Sequence, residues 1–186
     1  MKPTYFGLIV HKSRTLTLKW RLIIFKLRGL QIKKGSTLGK ISCDWPNSLS
    51  IGLNCVIQDN VDFRIWHPYE INSYIKIGDN VFIGHGSAFA CASKITIGDN
   101  CLIASGCSFI DGGHEYSKFS YINTQPMIVE EITIHEDVWI GMSCSILKGV
   151  TIGKGSVIGA GSVVNKSIPP YEVWAGVPAR FIKHRN

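Results

Sequence analysis

No stretch of this chain stays apolar long enough to cross a bilayer. The best candidate, "WRLIIFKLRGL" from Trp20 to Leu30, is interrupted by Arg21, Lys26 and Arg28, whereas a span needs about eighteen apolar residues. A cleavable leader is not expected either. Basic and apolar residues are mixed at the N-terminus instead of running as charge, apolar block and small-residue site. The protein is therefore expected in the cytoplasm. Acidic residues are missing from one region altogether: Met1 to Lys40 carries ten Lys or Arg and no Asp or Glu, while the remainder holds ten basic and thirteen acidic residues. Such asymmetry points to a basic arm, residues 1–30, that faces anions. A peripheral contact with the inner face of a membrane is the expected partner, and nucleic acid is not. A solvated basic face, or a cap on the end of the fold, is the plainer reading.

Metal-type cysteine spacing is absent too. The chain has six cysteines but no paired motif, which argues against a zinc site or a disulfide frame and for a reducing compartment. Length excludes little, since 186 residues with 45% hydrophobic content suffice for one domain with a core.

What the chain does have is a period of six. From Ile77 it reads "IGDNVF", "IGHGSA", "FACASK"; from Ile97, "IGDNCL", "IASGCS", "FIDGGH"; from Ile134, "IHEDVW", "IGMSCS", "ILKGVT", "IGKGSV", "IGAGSV", "VNKSIP". Weaker copies begin at Ile51 and Ile32. An aliphatic residue every six positions fits neither helical nor alternating periodicity. It fits a parallel solenoid, three hexads to a coil, with aliphatic ladders inside and glycine permitting the turns. Cys55, Cys101, Cys107 and Cys144 each fall four residues after a hexad's aliphatic position, as small core fillers; Cys43 and Cys91 fall elsewhere.

The period breaks once. Ile97 to Ile134 spans 37 residues where a coil takes 18, leaving a loop of about nineteen that opens at "DGGH" and occupies residues 111–131. An insertion at a corner leaves the ladders intact, and Gly112 and Gly113 let the chain leave sharply.

The run "DVWIGMSCSILKGVTIGKGSVIGAGSVVNKSIPPYEVWAGVPARFIK" resembles the hexapeptide-repeat acyltransferases, and its "IGAGSVV", "IPP" and "AGVPAR" are similar to the galactoside, maltose and capsular polysaccharide O-acetyltransferase branch. The resemblance runs from about Ile32 to the C-terminus. It implies an all-β, left-handed parallel β-helix over residues 31–168, a tail at 169–186 completing the cofactor site, a homotrimer, and acetyl-CoA as co-substrate. It implies His114 as general base, a role that suits neutral imidazole, with Asp111 or Glu115 orienting the ring or Asp111 meeting substrate. Trp139 is implied to line the site across the subunit boundary, and His85 to reach the acceptor. CoA is implied against Gly141, Met142 and Ala160, with its phosphates on Lys166, Arg180 and Lys183. Met142 and Asn165 stand where relatives carry small hydroxyl residues.

The acceptor is expected to be a saccharide. Where galactoside and maltose enzymes carry Asn and Asp, this chain reads "GHGSAFACAS", so a larger glycan, a nucleotide sugar or a lipid-linked saccharide is favoured over a free disaccharide. An amino sugar or a xenobiotic is the alternative acceptor. His67 lies in a second, shorter excursion and has no assigned role. A γ-class carbonic anhydrase, for which His85, His114 and His135 lack the pattern, and a noncatalytic scaffold are the remote alternatives.

Overall fold

The computed structural model describes residues 5–66 and 73–186, with side chains from residue 16 onward. The chain winds into a triangular prism. Its first face stacks the strands Gln31–Ile32, Leu49–Ile51, Tyr74–Ile77, Lys94–Ile97, Ile132–Ile134 and Thr151–Ile152. The second stacks Thr37–Leu38, Val56–Ile57, Phe82–Ile83, Leu102–Ile103, Trp139–Ile140 and Val157–Ile158. The third stacks Ser42–Cys43, Asp62–Ile65, Ala88–Cys91, Ser108–Ile110, Ser145–Leu147 and Val163–Val164. Neighbours on every face pair in parallel and in register, as the period of six requires.

Register turns sequence repeats into ladders. Ile51, Ile77, Ile97, Ile134 and Ile152 align on the first face. Ile57, Ile83, Ile103, Ile140 and Ile158 do so on the second. The third face is aromatic: Phe63 and Phe89 stack at 5.1 Å, Phe89 and Phe109 at 4.6 Å. All are buried, and burial of such side chains is worth about 1.5–3 kcal/mol each.

The corner cysteines also do more than fill space. The thiols of Cys55, Cys101, Cys107 and Cys144 donate to the carbonyls of Gly78, His135, Gly141 and Gly159 on the next coil at 3.0–3.2 Å. Cys91 sits in register on Ile65, and Cys43 on Phe63, so both extend the third-face ladder.

The corners depart from the expectation that glycine supplies the unusual backbone. Asn54, Asn80, Asn100 and Asp137 occupy the left-handed region at φ 54° to 59° between the first and second faces, a conformation Asn and Asp tolerate. Their amides form a ladder, Asn80 Nδ2 donating to Asn100 Oδ1 at 3.2 Å. The glycine of "IGDN" serves space instead: a Cβ on Gly98 would stand 2.6 Å from the backbone nitrogen of Glu136.

Both ends are closed. Helix α1, Tyr5–Leu27, runs into the first coil with Phe25 and Leu30 buried in the core cluster and Leu22 packed against it. Arg21 and Arg28 donate from Nη2 to the carbonyls of Ile41 and Asp44 at 2.8 and 2.7 Å. The capping alternative is therefore met by one side of this helix. At the other end, Glu172–Gly176 extends the second face and pairs antiparallel with Ala179–His184.

Candidate active site

The excursion predicted at residues 111–131 is a β-hairpin arm. Gly112–His114 pairs antiparallel with Met127–Val129, placing His114 opposite Met127. The turn is held by Gln125, which accepts from Ser117 N at 2.7 Å and donates from Nε2 to the carbonyls of Ser117 and Ser120 at 2.9 Å. Its tip is apolar and bare: Tyr116, Phe119, Tyr121 and Ile122 are all exposed.

The arm leaves from the edge between the third and first faces and is clamped there to the coils on both sides. Asp111 is fully buried, and its carboxylate accepts from the backbone N–H of Ala92 at 2.6 Å and Ser93 at 2.8 Å on the preceding coil. The Asp111 carbonyl accepts from Glu130 N at 2.9 Å. Glu130 in turn is ion-paired with Lys148 of the following coil and accepts from Gly149 N at 3.1 Å. Asp111 is thus not available to substrate or to the His114 ring, because both its oxygens face inward onto backbone donors. The shared carboxylate also raises the Cys91 thiol further, after burial itself. His114 is exposed, and none of the described residues hydrogen-bonds its ring. The Glu115 backbone N–H donates to the Pro126 carbonyl at 3.1 Å, and its side chain is exposed.

The other residues singled out in the sequence lie on different edges. His85, Ser105, Met142 and Ala160 stack along the edge between the second and third faces, tied by Gly106 N to His85 O at 2.9 Å and Gly161 N to Met142 O at 2.7 Å. His85 presents its backbone N–H to Gln58 Oε1 at 2.8 Å, above a cavity of about 290 Å³ lined by Gly39, Gln58 and Asp59. Gly141 allows this edge to be tight, since a Cβ there would stand 2.6 Å from the backbone nitrogen of Ala160. His135 lies at the first–second edge, beside left-handed Asp137. His85, His114 and His135 are thus spread over three edges, and among the described residues no three His, Cys, Asp or Glu are gathered for a metal ion. His67 lies outside the described residues.

The three cations expected to act together do not form one cluster within the chain. Arg180 pairs with Ala175, which packs on Gly159 beside Ala160. Lys183 lies further along the same strand, opposite Val173. Lys166 follows Val164, two residues beyond the register partner of Ile146, and so stands over Lys148 at the arm's edge. Sequence spacing holds no signal for this separation, because which edge a residue meets depends on its count around the coil.

Trp139 points outward from the second face, 54% exposed. It belongs to a row that the sequence reading did not identify: Val56, Phe82, Leu102, Trp139, Val157 and Val173 are in register on that outer surface. The corresponding row on the first face, Ser50, Lys76, Thr96, Thr133 and Thr151, is polar.

Residues 131–166 match the family model described as bacterial transferase hexapeptide (six repeats), and residues 74–109 match the hexapeptide repeat of succinyl-transferase. The two matches stop on either side of the arm. A probable acetyltransferase of Mycobacterium tuberculosis is 36% identical over 113 residues, which is 60% of this chain and 38% of that protein. The chain therefore spans well under two thirds of that relative. Among solved structures, galactoside acetyltransferase in complex with coenzyme A aligns with a TM-score of 0.56 at 30% identity, covering 82% of this chain and 66% of the other. AntD, an N-acyltransferase from Bacillus cereus in complex with dTDP and coenzyme A, shares the fold with a TM-score of 0.74 at 24% identity, covering 87% and 88%. The prism is accordingly a left-handed parallel β-helix.

Proposed function

Since the chain belongs to the hexapeptide-repeat proteins, we propose that it is an acetyl-CoA-dependent O-acetyltransferase acting on a saccharide hydroxyl, with His114 as general base. The observation that carries this reading is the arm. A solenoid whose ladders continue on both sides of an insertion has no structural need for it, yet Asp111 and Glu130 fix its base to both neighbouring coils while His114 stays open to solvent. Function-bearing residues are characteristically held on loops braced by a rigid scaffold.

The chemistry is a direct transfer. Neutral imidazole accepts the acceptor's hydroxyl proton as its oxygen attacks the acetyl carbonyl, forming the new C–O bond. The tetrahedral oxyanion is met by backbone N–H donors. Its collapse breaks the C–S bond, and the imidazolium returns the proton to the departing CoA sulfur. Atoms and charge balance without an acyl-enzyme.

The residues present fit CoA. The edge formed by Gly141, Met142 and Ala160 offers a close-packed, largely apolar run for the pantetheine arm, Met142 being well exposed. Arg180 beside it suits a phosphate, for which a guanidinium is a bidentate donor, and Lys183 extends the positive charge.

In one chain the arm and this edge lie at opposite borders of the third face. We infer that a second copy completes the site, in the homotrimer that the family resemblance implies. The apolar row through Trp139 supplies a surface for that contact, since such rows on a soluble protein commonly mark interfaces. Lys166, standing at the arm's edge, then serves the CoA of the neighbouring site.

The acceptor surface lacks carboxylates: Ala88 and Ala90 occupy the outward positions of the coil preceding the arm. A large saccharide, whether polymeric, nucleotide-linked or lipid-linked, fits such an open surface better than a disaccharide held by its hydroxyls. The buried, unpaired thiols and the supply of acetyl-CoA suit the cytoplasm. An acceptor panel with acetyl-CoA, read as released thiol, tests the reading. Turnover with saccharide hydroxyls supports it; turnover confined to amino sugars makes the protein an N-acetyltransferase, and none with any acceptor contradicts it.

A further inference from the structure

Helix α1 carries a second face that the solenoid leaves uncovered. Leu18, Leu22 and Phe25 turn toward the first coil, Phe25 and Leu30 being buried in its core. Leu16, Trp20, Ile23, Ile24 and Leu27 are exposed, Trp20 at 61% and Leu27 at 83%. At 3.6 residues per turn these five fall within an arc of roughly 100°, the width of a full apolar stripe. It faces away from the solenoid.

The borders of this stripe are cationic. Lys19 and Lys26 lie along one side, exposed. Arg21 and Arg28 lie along the other, each anchored by one Nη2 donor to the coil beneath. No acidic residue occurs anywhere in the first 40 positions. An apolar stripe flanked by cations is the pattern of a helix that lies in a membrane interface, and no helix among the described residues is long and apolar enough to cross.

We propose that α1 docks the protein on an anionic lipid surface, with Leu16, Trp20, Ile23, Ile24 and Leu27 entering the boundary between headgroups and acyl chains while the opposite side closes the solenoid. The charge decides for lipid over a second apolar protein surface. A helix flanked by cations on both borders and free of acidic residues repels its own copy and attracts anionic headgroups, each lysine contributing roughly fivefold in affinity. This docking is independent of the acetyltransferase reading, because none of these residues belongs to the proposed site.

The test is co-sedimentation of the full chain with phosphatidylcholine vesicles, with and without phosphatidylserine. Binding should require the anionic lipid and weaken as salt rises. Replacing Trp20, Ile24 and Leu27 together by alanine, which keeps helix propensity, should weaken binding at least tenfold with unchanged thermal midpoint and oligomeric mass. Lys19→Gln with Lys26→Gln should weaken it and flatten the salt dependence without touching the buried side, which keeps the test valid should the alanine variant misfold. Absence of vesicle binding by the native chain overturns the proposal. So does equal binding by the alanine variant. A fall in light-scattering mass on alanine substitution, in a protein that ignores vesicles, assigns the stripe to a second copy instead.

Discussion

The carboxylate of Asp111 accepts the backbone N–H of Ala92 at 2.6 Å, tying the first residue of the arm to the coil before it. The same carboxylate takes Ser93 N at 2.8 Å. Two corner donors with no access to water are thereby satisfied by one side chain, and the arm's point of departure is fixed by the same contact.

Asp111→Ala should leave both donors unpaired. A buried donor without a partner costs about 1–3 kcal/mol, so a loss of roughly 2–4 kcal/mol is expected, read as a lower urea midpoint. Acetyl transfer should fall further than CoA affinity, because the arm's base loosens while the CoA edge lies across the third face. An unchanged midpoint would contradict the contact's importance.

Trp139→Glu should place a charge in the middle of the apolar row on the second face. The outward position spares the ladder, so circular dichroism should be preserved while light scattering shows the 20.6 kDa chain alone. A variant that keeps its oligomeric mass would remove this face from the interface.

Stability should fall in alkali. Burial raises the thiols of Cys101 and Cys43 from the ordinary 9.0 to about 11. Between these values the unfolded chain has lost protons that the folded chain keeps, so folding is favoured fully below pH 9 and progressively less up to pH 11. Each thiol contributes at most about 1.4 kcal/mol per pH unit in that window. The urea midpoint should therefore drop across it, less steeply in Cys101→Ser. A flat native profile would contradict the burial argument.

The period of six made the fold legible, because a solenoid's register is its repeat: every aliphatic position from Ile51 to Ile158 named in sequence is a ladder position in space. The break at residues 111–131 was equally visible, and with it His114. What sequence left open depends on contacts between coils. That Asp111 turns inward follows from the free N–H groups of Ala92 and Ser93, nearly twenty positions earlier. That Lys166 and Arg180 part company follows from which edge each residue reaches. The corner conformation was assigned to glycine, although the Asn of "IGDN" adopts it while its glycine makes room for the next coil. The two faces of α1 were read as alternatives, and a helix at the end of a prism has room for both.

The central claim is that His114 takes the acceptor's proton, and the most direct measurement is single-acceptor acetyl transfer by His114→Ala beside CoA binding by calorimetry. The account predicts a rate loss of roughly a hundred- to ten-thousandfold, the usual contribution of a positioned general base, with CoA affinity and fold unchanged. A variant that keeps more than about a tenth of the native rate, well short of that contribution, would contradict it.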